Sequence, residues 1–190
     1  MKNGSGRRGN RARLAIWGPA ALLLLLPWVA MQFTDEVDWD KIDFIVVGAM
    51  LLAACGAYEL ATRMSGNTVY RAAFGIAIIG AFLLVWVNLA VGIIGSENNP
   101  ANLMYFGVLA VGLIGALVAR FEPRGMARAL VAMALAQVLV AVIAVVADWG
   151  MPHGAPAEVM GVTAFFVAPW LASAALFWKA ARAQAPAHST

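Results

Sequence analysis

The chain has 190 residues, of which 63% are hydrophobic and only 12% charged, and its formal net charge is +3. A soluble globular domain carries about 25% charged residues, so this composition excludes that class and indicates a membrane protein. The basic residues stand beside apolar runs, so orientation in a bilayer explains the positive charge better than nucleic-acid binding does.

The first apolar run follows a basic segment. Residues 1–13 contain one Lys and four Arg residues among Gly, Asn and Ser, and we interpret them as a flexible cytoplasmic tail. Residues 14–33 are long enough to cross a hydrocarbon core of about 30 Å. The same pattern is typical of a secretory signal peptide, but cleavage after Ala30 would put Trp28 where a small residue is required. We therefore expect an uncleaved first span.

Five more apolar runs follow, separated by short polar connectors. They cover residues 42–63, 72–94, 103–119, 129–147 and 157–178, and a polar segment, 179–190, comes after them. The pattern predicts an all-α, polytopic membrane helix bundle with six transmembrane helices arranged as three hairpins. We expect residues 14–178 to form one membrane domain and residues 179–190 to form a cytoplasmic tail.

The distribution of charge predicts the topology. All 13 Lys and Arg residues except Lys41 lie in the two terminal segments and in the second and fourth connectors. All 10 acidic residues except Glu59 and Glu122 lie on the opposite side. By the positive-inside rule, both termini are expected in the cytoplasm.

Glu59 is the acidic residue that lies furthest inside a predicted span, one helical turn before Arg63. A Glu followed by an Arg four residues later is a favourable helix pair, and its place near the span end favours an interfacial ion pair. Ionisable groups within membranes are often functional, so a proton or cation relay is the alternative interpretation.

Small residues recur in the second span and in the third and fourth. Ala49, Ala53, Ala57 and Ala61 form a row that would let another helix approach closely. The near-copies LAVGIIG (89–95) and LAVGLIG (109–115) predict a glycine-rich packing surface on both arms of the central hairpin.

A compact polar turn is predicted between the third and fourth spans. Asn side chains can cap a helix there, and Pro100 suits a first helical turn. The alternative is a small polar site at the outer membrane face. The sequence Asn99-Pro100-Ala101 also suggests a water channel, but that family carries two such motifs on half-helices and this chain has one. The candidate polar residues are Asn88, Glu97, Asn98, Asn99 and Asn102.

Gln137, near the middle of the fifth span, is the polar side chain best placed for a transport path. His153 and His188 have no partners at metal-ligand spacing, and the lone Cys55 cannot form an intrachain disulfide. The sequence contains no P-loop or dinucleotide fingerprint. We expect no metal, cofactor or catalytic site.

Four stretches carry a resemblance to other proteins: DEVDWDKIDF (35–44), YEL (58–60), WVNLAVGIIGSENNPANLMYFGVLAVG (86–112) and RGMARAL (124–130). With them, the chain resembles an uncharacterised family of small bacterial multi-pass inner-membrane proteins, best over residues 14–147. The resemblance implies the bacterial inner membrane as the location and implies no particular activity.

Three functions are consistent with these features. The favoured one is a non-enzymatic accessory or scaffold component that packs with itself or with another membrane protein, because the small-residue rows would serve as contact faces. The second is a small permease or channel for a small solute or ion, using Asn88, Glu97, Glu59 and Gln137. A membrane-embedded enzyme is the third, and the sequence shows no catalytic cluster for it. The expected partners are the lipid bilayer and membrane proteins, with no nucleic acid.

Overall fold

The structure, a computed structural model, describes residues 4–149 and 155–184. Within these ranges every regular element is helical. Six helices are long and apolar enough to cross a membrane, and the fourth of these spans includes a short 3₁₀ turn at its start. The protein is therefore a multi-pass, all-helical membrane protein, which confirms the six predicted spans. The elements are α1 (Gly4–Ala30), α2 (Lys41–Met64), α3 (Thr68–Ala90), the 3₁₀ turn (Pro100–Leu103), α4 (Met104–Val118), α5 (Pro123–Val146) and α6 (Ala155–Gln184).

Several helices extend beyond the predicted apolar spans. α1 begins at Gly4 and α6 ends at Gln184, both inside segments predicted as tails. α5 begins at Pro123, inside the predicted basic connector. Hydropathy marks the part of a helix that hydrocarbon surrounds, whereas backbone hydrogen bonding continues into the polar interface, and proline suits a first turn. His153 and His188 lie outside the described residues.

The chain divides into two compact units, residues 1–64 and 65–190. In the first unit, α1 packs against α2. Leu24 Cδ2 lies 3.8 Å from the position that a Cβ would take at Gly48. The Cys55 thiol lies 3.7 Å from the backbone oxygen of Ile16 and donates a weak hydrogen bond to it. These contacts pair the two helices along their length.

The acidic loop before α2 supplies the cap of that helix. Asp40 Oδ1 accepts hydrogen bonds from the backbone N–H groups of Ile42 (2.6 Å) and Asp43 (2.9 Å). The Asp43 carboxylate in turn accepts one from the Asp40 N–H at 3.0 Å. This reciprocal pairing satisfies backbone donors that have no partner within the helix. Part of the acidic rim is therefore a helix cap.

In the second unit, α5 packs between α4 and α6, and α3 packs mainly against α6. Gly80 in α3 makes room for the fully buried Trp170 ring, whose Cζ3 lies 3.0 Å from the position of a Cβ at Gly80. One turn further along α6, the Ser173 hydroxyl donates a 2.7 Å hydrogen bond to the Ala73 backbone oxygen. α3 and α6 are thus joined by close packing and by a buried hydrogen bond.

Glycines bring α4 close to α5. A Cβ at Gly115 would lie 2.6 Å from the Cβ of Ala129, and one at Gly112 would overlap the Met133 side chain. The predicted glycine-rich packing surface is present on the α4 arm, where the 109–115 copy packs against α5. The prediction is wrong for the other arm, because the 89–95 copy extends beyond the end of α3 and its glycines form a turn.

Candidate functional site

The polar group inside the first unit is an ion-pair cluster around Glu59. Its carboxylate lies 2.6 Å from the Arg63 guanidinium and 3.1 Å from that of Arg13. The Trp17 indole donates a third hydrogen bond to it, at 3.4 Å. Because α1 supplies Arg13 and Trp17, the cluster links α1 to the end of α2. The predicted pair of Glu59 with Arg63 is present, and α1 adds two further partners of the carboxylate, Arg13 and Trp17.

The segment after α3 forms a sharp turn at residues that were predicted to continue the helix. α3 ends at Ala90, although the predicted span ran to residue 94. Gly92 and Gly95 have φ values of 71° and 70°, in the left-handed region that glycine adopts without strain. A Cβ at Gly92 would lie 2.5 Å from the Ser96 carbonyl. The apolar residues between the two glycines are therefore part of a folded turn.

Asn102, at 5% exposure, holds that turn closed. Its Oδ1 accepts hydrogen bonds from the backbone N–H groups of Ile93 (3.0 Å) and Ile94 (2.9 Å). Its Nδ2 donates to the backbone oxygens of Ser96 (2.6 Å) and Ile94 (3.3 Å). A single side chain thus satisfies backbone groups that have no helical partner, as a membrane interior requires.

Asn88, the buried residue near the end of α3, joins the same network. Its Nδ2 donates a 3.0 Å hydrogen bond to the backbone oxygen of Asn102. Its Oδ1 is buried and has no partner among the described residues. Asn88 therefore fastens α3 to the 3₁₀ turn and keeps one acceptor available.

The remaining residues of the polar turn lie at its surface. Asn99 caps the 3₁₀ turn, with its Oδ1 accepting from the Ala101 N–H at 3.0 Å and with proline following it, as predicted. Its Nδ2 donates to the Trp149 backbone oxygen at 2.9 Å, which ties the turn to the segment after α5. Asn98 donates to the Glu97 carboxylate at 3.0 Å.

Gln137 lies in the core of the second unit, at 0% exposure. Neither the oxygen nor the nitrogen of its amide has a partner within the described part of the chain. The contact between Gly115 and Ala129 sets the register of α4 against α5. Tyr105 lies about 15 Å along α4 from Gly115, and Gln137 about 12 Å along α5 from Ala129, so both lie at nearly the same depth.

Thr163 of α6 belongs to this polar layer. Its side chain lies within reach of the Tyr105 hydroxyl, yet neither hydroxyl forms a hydrogen bond of good geometry to any described residue. Tyr105, Gln137 and Thr163 are at most 3% exposed. Three helices therefore contribute buried neutral polar groups at similar depth, and we call Tyr105, Gln137 and Thr163 the Gln137 layer.

The predicted site residues thus separate into groups. Glu59 and Arg63 belong to the first unit, and Asn88 and Asn102 form one network within the second. The Gln137 layer includes two residues that sequence reasoning missed, Tyr105 and Thr163. Neither of them carried a local sequence signal, because which helix faces are buried depends on the order of packing. Among the described residues, no group of three His, Cys, Asp or Glu side chains could hold a metal ion.

Comparison of the chain with protein-family models, with curated proteins and with solved structures gave no match.

Proposed function

We propose that this protein is a non-enzymatic accessory or scaffold component of the bacterial inner membrane. It is built from three helical hairpins, has both termini in the cytoplasm, and packs with a second copy of itself or with another membrane protein. The charge asymmetry between its connectors supports the orientation. The exposed small residues of α2 support the packing role.

The main observation in support of this proposal is a row of small residues on α2 that is partly exposed. Ala49 and Ala53 of the row are exposed, and so is the neighbouring Gly56, with no heavy atom within 4 Å of the position of a Cβ there. Ala57 is half-buried and Ala61 is fully buried. Small residues let helix backbones approach closely, and van der Waals packing drives helix association in membranes. The exposed part of the row is thus suited to a second helix.

The ion pairs and hydrogen bonds of the polar side chains support the same proposal. Glu59 is paired with two arginines, and the amide of Asn102 is occupied by backbone groups. These contacts stabilise helix ends and a turn, which is what a packing protein requires of its polar groups.

The test is association in the membrane after Ala53→Ile. Overpacking typically costs about 1–3 kcal/mol, and each 1.4 kcal/mol is about tenfold in affinity, so we expect association to weaken by about fivefold to a hundredfold. The measurement is quantitative co-purification of a second, differently tagged copy and of other membrane proteins in mild detergent. Leu52→Ile, at the neighbouring exposed position, is the matched control and should retain the partner. A wild-type protein with no stoichiometric partner, or an Ala53→Ile variant that keeps it, would contradict the proposal.

The second candidate function is a small permease or channel for a small neutral solute. The observation that favours it is the Gln137 layer, because transporters use polar groups inside the helix bundle to replace the hydration of a solute. The layer offers donors and acceptors and no charge. It therefore suits a neutral molecule better than an ion, whose burial without a counter-charge is costly.

Gln137→Leu separates the two functions. The change removes an unpartnered buried amide, so we expect the free energy of unfolding to rise by about 1 kcal/mol. A permease should at the same time lose flux of water, glycerol or urea into proteoliposomes, measured by stopped-flow light scattering. Asn98→Ala, at the exposed turn, is the control that should leave flux unchanged. Wild-type flux equal to that of protein-free liposomes would exclude the permease.

A further inference from the structure

α3 and α4 contact each other only slightly, and a groove of about 480 Å³ lies between them. α3 contributes Phe74 to Ala81 as one wall, α4 contributes Phe106 to Leu113 as the other, and α5 forms the floor with Trp170 of α6. The volume is within the range of about 300–1,000 Å³ that is typical of ligand sites. All of the lining residues belong to the second unit, and every one of them is apolar.

The groove runs along the direction in which the helices cross the membrane. Its floor extends from Met126 to Met133, seven residues of helix, or about 10 Å. Because its walls belong to membrane-spanning helices, the medium available to fill it is hydrocarbon. A segment of an acyl chain matches its chemistry and fits its length of about 10 Å.

Arginines flank the end of the groove nearest the α4–α5 connection. The ring of Phe74, which lines that end, lies 6.3 Å from the ring of Phe121. Arg120 directly precedes Phe121, and Arg124 lies in α5 just before Met126. Both arginines are exposed. The end of an apolar groove is thereby bordered by cations.

The charge of the connector stays positive when its acidic residue is counted. Arg120, Arg124 and Arg128 outweigh Glu122, the acidic residue between the first two. Basic clusters between transmembrane helices at the cytoplasmic surface bind anionic lipid headgroups. An acyl chain alone would need no cations, whereas a lipid with a phosphate requires both features that are found here.

We propose that the α3–α4 groove is a binding site for an anionic phospholipid. One acyl chain fills the apolar groove, and the headgroup phosphate lies against Arg120 and Arg124. The site is built by the second unit alone and does not depend on the association proposed for α2. A second copy of the chain or a foreign helix could also fill an apolar groove, but neither would bring a phosphate to pair with the arginines at its end.

The test is native mass spectrometry of the full-length protein titrated with phosphatidylglycerol or with phosphatidylcholine of the same chain length. We expect tighter binding of phosphatidylglycerol. Each of Arg120→Gln and Arg124→Gln should weaken it about fivefold, since a basic residue near a lipid surface contributes about 1 kcal/mol. Arg182→Gln, at the exposed end of α6, is the matched charge control and should leave the affinity unchanged.

A second pair of variants tests the groove itself. Ala110→Phe places a ring inside the groove and should abolish phosphatidylglycerol binding, whereas Val111→Phe, at the exposed neighbouring position outside the lining, should preserve it. Circular dichroism of both variants checks that they are folded. Equal binding of the two lipids by the wild type would overturn the proposal. So would unchanged lipid binding in Ala110→Phe, or loss of a dimer rather than of lipid, which would make the groove a protein interface.

Discussion

Asn102→Ala is expected to lower the free energy of unfolding by roughly 3 kcal/mol or more. The substitution leaves the backbone N–H groups of Ile93 and Ile94 and the backbone oxygen of Ser96 without their side-chain partners. Each buried polar group left unpaired costs about 1–3 kcal/mol, and entry of water into the turn recovers part of that cost. The measurement is reversible unfolding of the purified protein in mixed micelles, followed by tryptophan fluorescence.

Asn98→Ala is the matched control for this substitution, because it removes the same side chain from an exposed position in the same turn. Exposed substitutions of this kind change stability by no more than about 0.5 kcal/mol. If the two alanine variants unfold at the same denaturant concentration, Asn102 does not hold the turn closed.

Gly115→Ala is expected to destabilise the protein by about 1–3 kcal/mol, the usual range for overpacking. The added Cβ would lie 2.6 Å from the Cβ of Ala129 and 3.3 Å from its Cα. The Cα belongs to the backbone of α5, so a change of rotamer cannot relieve the overlap and α4 must move away from α5. Thermal unfolding in detergent measures the effect, and a cross-link between engineered cysteines on α4 and α5 reports the separation.

Gly107→Ala is the control for that substitution, since no heavy atom lies within 4 Å of its Cβ position on the same helix. Alanine has a higher helix propensity than glycine by up to about 1 kcal/mol, so this variant should be slightly stabilised. Adding Ala129→Gly to Gly115→Ala should restore part of the lost stability, because it removes the 2.6 Å contact with the Ala129 Cβ but adds the helix-propensity cost of a glycine. Destabilisation by Gly107→Ala, or failure of the rescue, would show that helix propensity and contact distance do not explain the effect.

The spans were predictable from the sequence because a helix that crosses hydrocarbon must be predominantly apolar over its whole length. The end of α3 was not, and Ile93 and Ile94 show why. Both are apolar and buried, so hydropathy assigns them to the span, yet their backbone groups are satisfied by Asn102 rather than by the helix. Hydropathy indicates whether a side chain is surrounded by apolar groups, but it does not indicate which groups form hydrogen bonds with the backbone.

The candidate site was predictable only where its residues lie on one helix. Glu59 and Arg63 lie one turn apart on one helix, so their pairing follows from helical geometry. The neighbours of Gln137 come from α4 and α6, and their depth depends on the glycine contacts that set the register between helices. Thr163 within an apolar run carried no local signal, since a hydroxyl can satisfy itself on its own helix.

The packing order of the second unit has a consequence for the way in which the protein is made. α3 finds its main partner in α6, and the hydrogen bond from Ser173 to Ala73 joins residues 100 positions apart. At about 5–20 residues per second, the ribosome needs on the order of 5–20 s to deliver the second residue after the first. During that interval α3 lies in the bilayer with its packing face against lipid. The packing of α3 against α6 therefore forms only after the last helix has been synthesised, and a chain truncated before α6 would leave α3 without its main partner.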